Sequence, residues 1–261
     1  MNKSPEKELI LYLIKSKNIL IFTGAGVSTG SGIADFRGPQ GIWKKRKPVY
    51  YRDFMSSEDA RVDYWEYKLE SWDSFKNAVP NEVHKAIVEL ERARKLLMVV
   101  TQNTDGLHRL AGLSEERLVE VHGTMRYVEC QKCHELTAPD PHFIYFKKEK
   151  KAPICTCGGY LKPATISFGQ NLREIDLNRA FSAAMKADLV IALGTTLSVT
   201  PASSVPLQAA ERGVPYIIIN RGRTDHDGVQ AVSLRIEGDV ADIFPPAVAA
   251  WIDEDIEEKS Y

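Results

Sequence analysis

Along the chain, short apolar runs rich in β-branched residues alternate with longer segments whose apolar residues recur every three to four positions. The runs at 18–22, 96–101, 118–121, 189–193, 216–219 and, more weakly, 233–236 read as strands buried on both faces. Segments 6–15, 80–92, 172–185 and 202–212 read as amphipathic helices. Strand-helix alternation of this kind predicts an α/β fold, a parallel sheet with helices on both faces.

Two stretches break the rhythm. Residues 36–79 carry many aromatics, among them Trp43, Tyr64, Trp65, Tyr67, Trp72 and Phe75, but no second strand. Residues 126–168 hold all four cysteines among prolines and short polar turns. Together they predict a smaller module beside a main domain made of 1–35, 80–125 and 169–261. The acidic end, "DEDIEEKSY", reads as a frayed tail.

Composition narrows the classes. With 44% hydrophobic and 26% charged residues in 261, the chain is neither disordered nor membrane-spanning in character. Thirty-four basic residues against 35 acidic ones leave a net charge of −1, so no global field favours nucleic acid or an anionic membrane. The basic run Lys44-Lys45-Arg46-Lys47 reads as a solvated loop. The first apolar stretch is broken by Lys15 without a small-residue cleavage site, so a cytoplasmic protein is expected. In that compartment four cysteines suggest metal ligands rather than disulfides.

The stretch "TGAGVSTGSGIADFRG", residues 23–38, follows the first apolar run as a phosphate loop follows a strand. A hydride-transfer Rossmann unit would continue with a helix, a second strand and an acidic residue about 20 positions on. Here that place holds "GIWKKRKPVY", and Asp35, Phe36 and Arg37 directly follow the glycines. The other strand ends carry "TQNTDG", "VHGT", "GTTLSV" and "NRG", bringing amides, a carboxylate, hydroxyls and one imidazole to a single rim. His122 suits a general base, because imidazole titrates near working pH and this one stands at a strand end before glycine. His84, His108, His142 and His226, in a helix, a turn and loops, read as structural. Cys130, Cys133, Cys155 and Cys157 form two close pairs with a spacing that suits one tetrahedral zinc. "CQKCH" also matches a haem attachment signature, which requires export and leaves the second pair without a role; unliganded thiols are the third alternative.

Taken in order, "GAGVSTGSGIADFRG", "TQNTDGLH", "VHG", two cysteine pairs, "GTTLSVTPAS" and "NRGRTDHDG" resemble the sirtuin family of NAD-dependent protein deacylases over roughly residues 5–245. The resemblance implies a Rossmann-type NAD domain, a small domain made of a zinc module and a helical insertion, and a cleft where NAD meets an acyl-lysine protein or peptide. It implies that Gly24, Ala25, Gly26 and Ser28 line the diphosphate, and that Ile33, Asp35, Phe36 and Arg37 form the cofactor loop. Gln102, Asn103 and Asp105 would face the nicotinamide and its ribose, with Asn103 catalytic. Gly194, Thr195, Thr196, Asn220 and Arg221 would hold the adenosine half, near Asp239 and Val240. Ile166, Phe168, Gly169 and Val199 would contact the substrate, the peptide adding as a strand between "ISFGQ" and residues 197–200.

In the implied reaction NAD is consumed. The acyl-lysine carbonyl oxygen attacks the anomeric carbon as nicotinamide leaves; His122 then draws a proton from the ribose so that a hydroxyl attacks the imidate. The amine and an O-acyl-ADP-ribose result. ADP-ribosyl transfer, NAD hydrolysis at the same site and a nonenzymatic NAD sensor are the competing readings. Residues 49–87 resemble the helical insertion of class II sirtuins, but the Tyr-x-x-Arg pair of desuccinylating members is absent: Tyr67 follows Tyr64 at that spacing, and Glu70 follows Tyr67. An acidic acyl chain thus loses its expected cation. Further departures are Ala34 for proline, Thr196 for serine, and one residue rather than two between Cys155 and Cys157, which implies either a tighter, weaker chelate or a contribution from His134 or His142.

Overall fold

Ser4 accepts a hydrogen bond from the Lys7 amide at 3.4 Å, which caps helix α1 (Pro5–Lys15). In the computed structural model, residues 4–35 and 47–259 are described, with side chains as far as Glu254. Proline at the helix start and Glu6 and Glu8 in the first turn suit the same end, and Leu9 and Leu13 are buried.

Strands β1 (Ile19–Thr23), β2 (Leu96–Thr101) and β3 (Leu118–Glu120) come from the first half of the chain. A second, antiparallel sheet follows with β4 (Gly123–Cys130), β5 (Leu136–Thr137) and β6 (Leu161–Thr165). Strands β7 (Leu189–Leu193), β8 (Tyr216–Asn220) and β9 (Leu234–Glu237) then return to the first sheet. Its order is β3-β2-β1-β7-β8-β9 and every pairing is parallel. All six runs expected to be strands lie in it. The chain builds outward from β1 to β3, then crosses back to β7 beside β1, so the order reverses between these two. That switch point opens a crevice at the carboxyl ends of β1 and β7.

Alternation along each strand divides the apolar side chains between two faces. Ile19 and Ile21 join Leu9, Leu13, Ile87, Phe244, Val248 and Trp251 on one side, under α1, α4 (Glu82–Arg92) and α9 (Val240–Lys259). Leu20 and Phe22 join Ala180, Ala183, Val205 and Ala209 on the other, under α7 (Glu174–Ala184) and α8 (Ser204–Ala210). The sequence does not announce α9. Pro245 and Pro246 lie inside it and remove two backbone donors. Tertiary burial of Phe244, Val248 and Trp251 outweighs that loss, and the helix extends to Lys259. The expected frayed tail is therefore corrected to helix as far as Lys259.

The aromatic stretch becomes α2 (Tyr51–Ser56) and α3 (Glu58–Asn77), which pack with α6 (Pro139–Glu149) and the antiparallel sheet into a third apolar cluster. Trp72 stacks on Phe143 at 4.4 Å, and Trp65 meets the same ring edge-on at 5.1 Å while its Nε1 donates to the Leu161 carbonyl at 3.0 Å. Among the described residues of this stretch, Phe54, Tyr64, Trp65, Trp72 and Phe75 are thus core. No helix among the described residues is long and apolar enough to cross a membrane.

Two histidines form a buried pair where α4 meets α5 (Leu107–Leu110). His84 and His108 are 0% and 2% exposed, with rings 4.9 Å apart. Burial lowers the pKa of His84 to about 4; burial and then its neighbour's charge push His108 well down. The unfolded chain therefore binds more protons below pH 6.5, and stability contributed by the neutral rings is lost as pH falls from about 6.5 toward 4. For His84 this amounts to about 3 kcal/mol. Urea unfolding across that range should show this decline, and His84→Leu should flatten it; an unaltered slope would place the protons elsewhere.

Candidate functional site

At the switch point β1 delivers Gly24 and a tight turn over Ala25–Val27, and β7 delivers Gly194 opposite. The two loops touch backbone to backbone, with Gly26 N donating to Gly194 O at 2.8 Å and Gly24 N to Leu193 O at 3.0 Å. A Cβ on Gly24 would lie 2.6 Å from Thr195 Cβ, and one on Gly26 would lie 2.7 Å from Gly194 Cα. Gly194 itself has φ +59°. Glycine is required here for contact between loops as well as for approach by a ligand.

The end of β2 ties these loops together. Asn103 Nδ2 donates to Gly24 O at 3.0 Å and to Ser28 Oγ at 3.1 Å, and Gln102 Nε2 donates to Thr195 Oγ1 at 2.8 Å. Ser28 Oγ donates in turn to Asp105 Oδ2 at 2.7 Å, while Leu107 N donates to Oδ1 at 2.8 Å. Burial pushes the Asp105 carboxyl upward, against the Leu107 amide, the Ser28 hydroxyl and the nearby Arg126 charge. Ser28, Asn103 and Asp105 are each at most 5% exposed. This is a satisfied buried network, rigid because every member has a partner.

His122 follows β3 and is half-buried. Its Nδ1 lies 3.1 Å from the Gln102 carbonyl oxygen. A carbonyl only accepts, so Nδ1 carries the proton and Nε2 is the basic nitrogen of the neutral ring. The His122 carbonyl accepts from Ile166 N at 2.8 Å, which links the imidazole to the segment after β6.

These parts enclose one cavity of about 1090 Å³. Gly24, Ala25, Gly26, Asp35, Gln102 and Asn103 line its first side. Gly194, Thr195, Thr196, Asn220, Arg221, Asp239 and Val240 line the part beyond β7 and β8. There Asn220 Nδ2 donates to the carbonyls of Arg221 and Gly222 at 3.0 Å, and Arg221 pairs with Asp239 at 2.8 Å. His122, Ile166, Phe168, Gly169 and Val199 line the remaining part. Ser28 and Asp105 stand behind the lining and brace it, and Ile33 packs into the third apolar cluster. Phe36 and Arg37 lie outside the described residues. Sequence reasoning missed Lys68 as a lining residue, and Tyr64 and Tyr67 line the cavity beside it. The signal was "YWEYK", which puts these three at i, i+3 and i+4 on one helical face.

The four cysteine sulfurs lie within 4.8 Å of one another and all are free thiols. Cys130 and Cys157 sulfurs are 3.5 Å apart, and those of Cys133 and Cys155 are 3.9 Å apart. A tetrahedral zinc with bonds of about 2.3 Å places its sulfurs about 3.8 Å apart, so the donor set fits. Both pairs converge on one point, which removes the haem reading. The shorter Cys155-x-Cys157 link is accommodated by Gly159, where a Cβ would lie 2.5 Å from Cys130 Sγ. His134 and His142 turn to Glu129 and Thr137, at 3.1 and 2.8 Å, and neither belongs to the cluster.

The Sir2 family model matches residues 24–201. NAD-dependent protein deacetylase 1 of Bradyrhizobium diazoefficiens is 38% identical over 237 residues, covering 90% of this chain and 92% of its own. The NAD-dependent protein deacetylase of Sulfurisphaera tokodaii is 38% identical over 241 residues, covering 92% and 93%. Among solved structures, one described under the mechanism and regulation of Sir2 enzymes aligns with TM-score 0.84 and 34% identity over 97% of this chain and 99% of that one. A Sir2 complex with p53 peptide and NAD+ aligns with TM-score 0.82 and 29% identity over 96% and 98%. With the family model spanning both the glycine loop and the cysteine cluster, the chain belongs to the Sir2 family.

Proposed function

We propose that the protein is an NAD-dependent protein-lysine deacylase. The observation that carries this reading is His122, its Nδ1 held by the Gln102 carbonyl, lining the same cavity as the glycine cradle. Relatives named NAD-dependent protein deacetylases support it, as does the likeness to a Sir2 structure holding peptide and NAD+.

NAD, as co-substrate, supplies an ADP-ribosyl electrophile whose leaving group is nicotinamide. Gly24, Ala25 and Gly26 would hold the diphosphate, where absent side chains leave backbone amides accessible. Asn220, Arg221 and Asp239 would hold the adenosine half, and Gln102 and Asn103 the nicotinamide half. Ser28 and Asp105 would act through Asn103 by fixing its amide. His122 Nε2 would take a proton from a ribose hydroxyl, with the Gln102 carbonyl stabilising the imidazolium through Nδ1. Ile166 and Phe168 would flank the acyl-lysine as the peptide adds to the backbone between 166–170 and 197–200. A zinc on Cys130, Cys133, Cys155 and Cys157 would be structural, since four thiolates leave no open position for water.

The test is incubation of the protein with NAD and acetyl-, butyryl-, succinyl-, lipoyl- and myristoyl-lysine peptides, following nicotinamide and deacylated peptide together by mass spectrometry. Equal release of both is expected. Nicotinamide without deacylation would replace the reading by ADP-ribosyl transfer or NAD hydrolysis, and NAD binding without either product would replace it by a sensor.

A further inference from the structure

Strand β4 starts directly after His122 and lies against the loop that follows β2. Met125 N donates to Thr104 O at 2.7 Å, and Arg126 Nε donates to Asp105 O at 2.8 Å. The Arg126 stem crosses Gly106, which has φ +71° and where a Cβ would lie 2.9 Å from Arg126 Cγ and 3.0 Å from its Nε. Only glycine leaves that passage open. The half-buried guanidinium is thereby seated against the Asn103–Asp105 turn, behind the cavity wall and not among its lining residues.

Its charge is not spent on a hydrogen bond to a carboxylate. Asp105 Oδ2 accepts from Ser28 Oγ and Oδ1 from Leu107 N, while Arg126 Nη2 is buried without a hydrogen-bond partner among the described residues. An unmade guanidinium donor is destabilising, and a clamp on the Asp105 carbonyl needs only a neutral donor. A turn clamp therefore accounts for the Nε bond but not for the charge. The charge acts on the Asp105 carboxyl, whose ionisation burial opposes and Arg126 favours. Few other charges bear on that carboxyl. Glu120 of β3, raised first by burial and also by the Asp105 charge, pairs with Arg109 at 3.5 Å. From α5 and α4, His108 and His84 present buried neutral rings, with His108 Nε2 3.0 Å from Thr23 Oγ1.

The ionised form matters for Asn103. A carboxylate only accepts, so Ser28 donates to it, and Ser28 Oγ is left to accept from Asn103 Nδ2 at 3.1 Å. With Nδ2 also donating to Gly24 O, the Asn103 amide has one orientation. A protonated Asp105 would itself donate to Ser28, whose hydroxyl hydrogen would then compete with Nδ2 and release that orientation.

We propose that Arg126 is a positioning residue whose positive charge, acting through Asp105 and Ser28, fixes the Asn103 amide toward the nicotinamide half of NAD. The inference rests on the deacylase reading for the placing of NAD in this cavity.

The test measures NAD affinity without peptide, by isothermal titration calorimetry near pH 6 and near pH 8.5, in wild type, Arg126→Gln and Arg126→Lys. Glutamine keeps a donor for the Asp105 carbonyl without the charge; lysine keeps the charge. Each Kd is divided by the wild-type value at the same pH, which removes the titration of His122 and other groups common to all three proteins. Arg126→Gln should bind within about threefold of wild type near pH 8.5, where Asp105 ionises unaided, and about 10-fold more weakly near pH 6, because an opposite charge moves a neighbouring carboxyl by about one to three pH units. The affinity at the higher pH also shows that the variant is folded. Arg126→Lys should stay within about threefold at both. A glutamine variant equal to wild type at both pH values overturns the proposal. So does an equal loss at both, which marks a turn clamp alone, or a lysine variant as pH-sensitive as the glutamine one. Deacylation of an acetyl-lysine peptide by the wild type is followed alongside. NAD binding without turnover removes the deacylase reading and leaves the Kd ratios to decide Arg126, whereas a wild type that does not bind NAD overturns both.

Discussion

His122→Ala should lose peptide deacylation by roughly 10²- to 10⁴-fold or more in kcat/KM, the range for removal of a general base. The structure confines the damage to chemistry. His122 is half-buried, and its ring is held by a bond from Nδ1 to the Gln102 carbonyl. Its loss costs about 1 kcal/mol of stability. The glycine cradle and the Asn103–Ser28–Asp105 network do not pass through the ring. Nicotinamide and deacylated peptide followed together, beside NAD affinity and melting temperature, check this. An alanine variant with full deacylation would remove His122 from the mechanism. A variant that no longer binds NAD would assign the residue to the cradle instead.

Removing zinc should have the largest effect on structure. Structural zinc sites contribute on the order of 10 kcal/mol of apparent folding free energy. That equals or exceeds the net stability of a typical domain. Without metal, four thiols remain crowded within 4.8 Å, and Cys130, 0% exposed, belongs to the apolar cluster that joins α3, α6 and the antiparallel sheet. Chelation or Cys130→Ser should therefore unfold the antiparallel module while the six-stranded parallel sheet, with its own two cores, keeps its circular dichroism. Activity should fall with it, because β6 leads into Ile166, whose amide holds the His122 carbonyl. One zinc per chain by metal analysis and protection of the thiols until chelation are the expected results. Four thiols that react freely in a folded, metal-free, active protein would sink the assignment.

The two effects differ in how far they were legible beforehand. Six strands and four helices could be read from the chain because a parallel strand covered on both faces must be continuously apolar, and a half-covered helix must alternate. His122, the amides after β2 and the glycine loops were legible for the same reason: strand ends put them at one rim. Helix α9 was not, since Pro245 and Pro246 oppose a helix locally and only burial of Phe244, Val248 and Trp251 against α1 and α4 reverses that preference. The meeting of Cys155-x-Cys157 with the first pair also depended on a distant contact, the space left by Gly159 beside Cys130.

By itself, then, the sequence determined the α/β class, the order of the elements and the inventory of reactive groups, because these follow from local periodicity and from the chemistry of each side chain. Tertiary structure alone decided which groups face the cavity. Ser28 and Asp105 withdrew behind it while Lys68 entered it, since facing is set by how separate elements pack, and no local pattern carries that information.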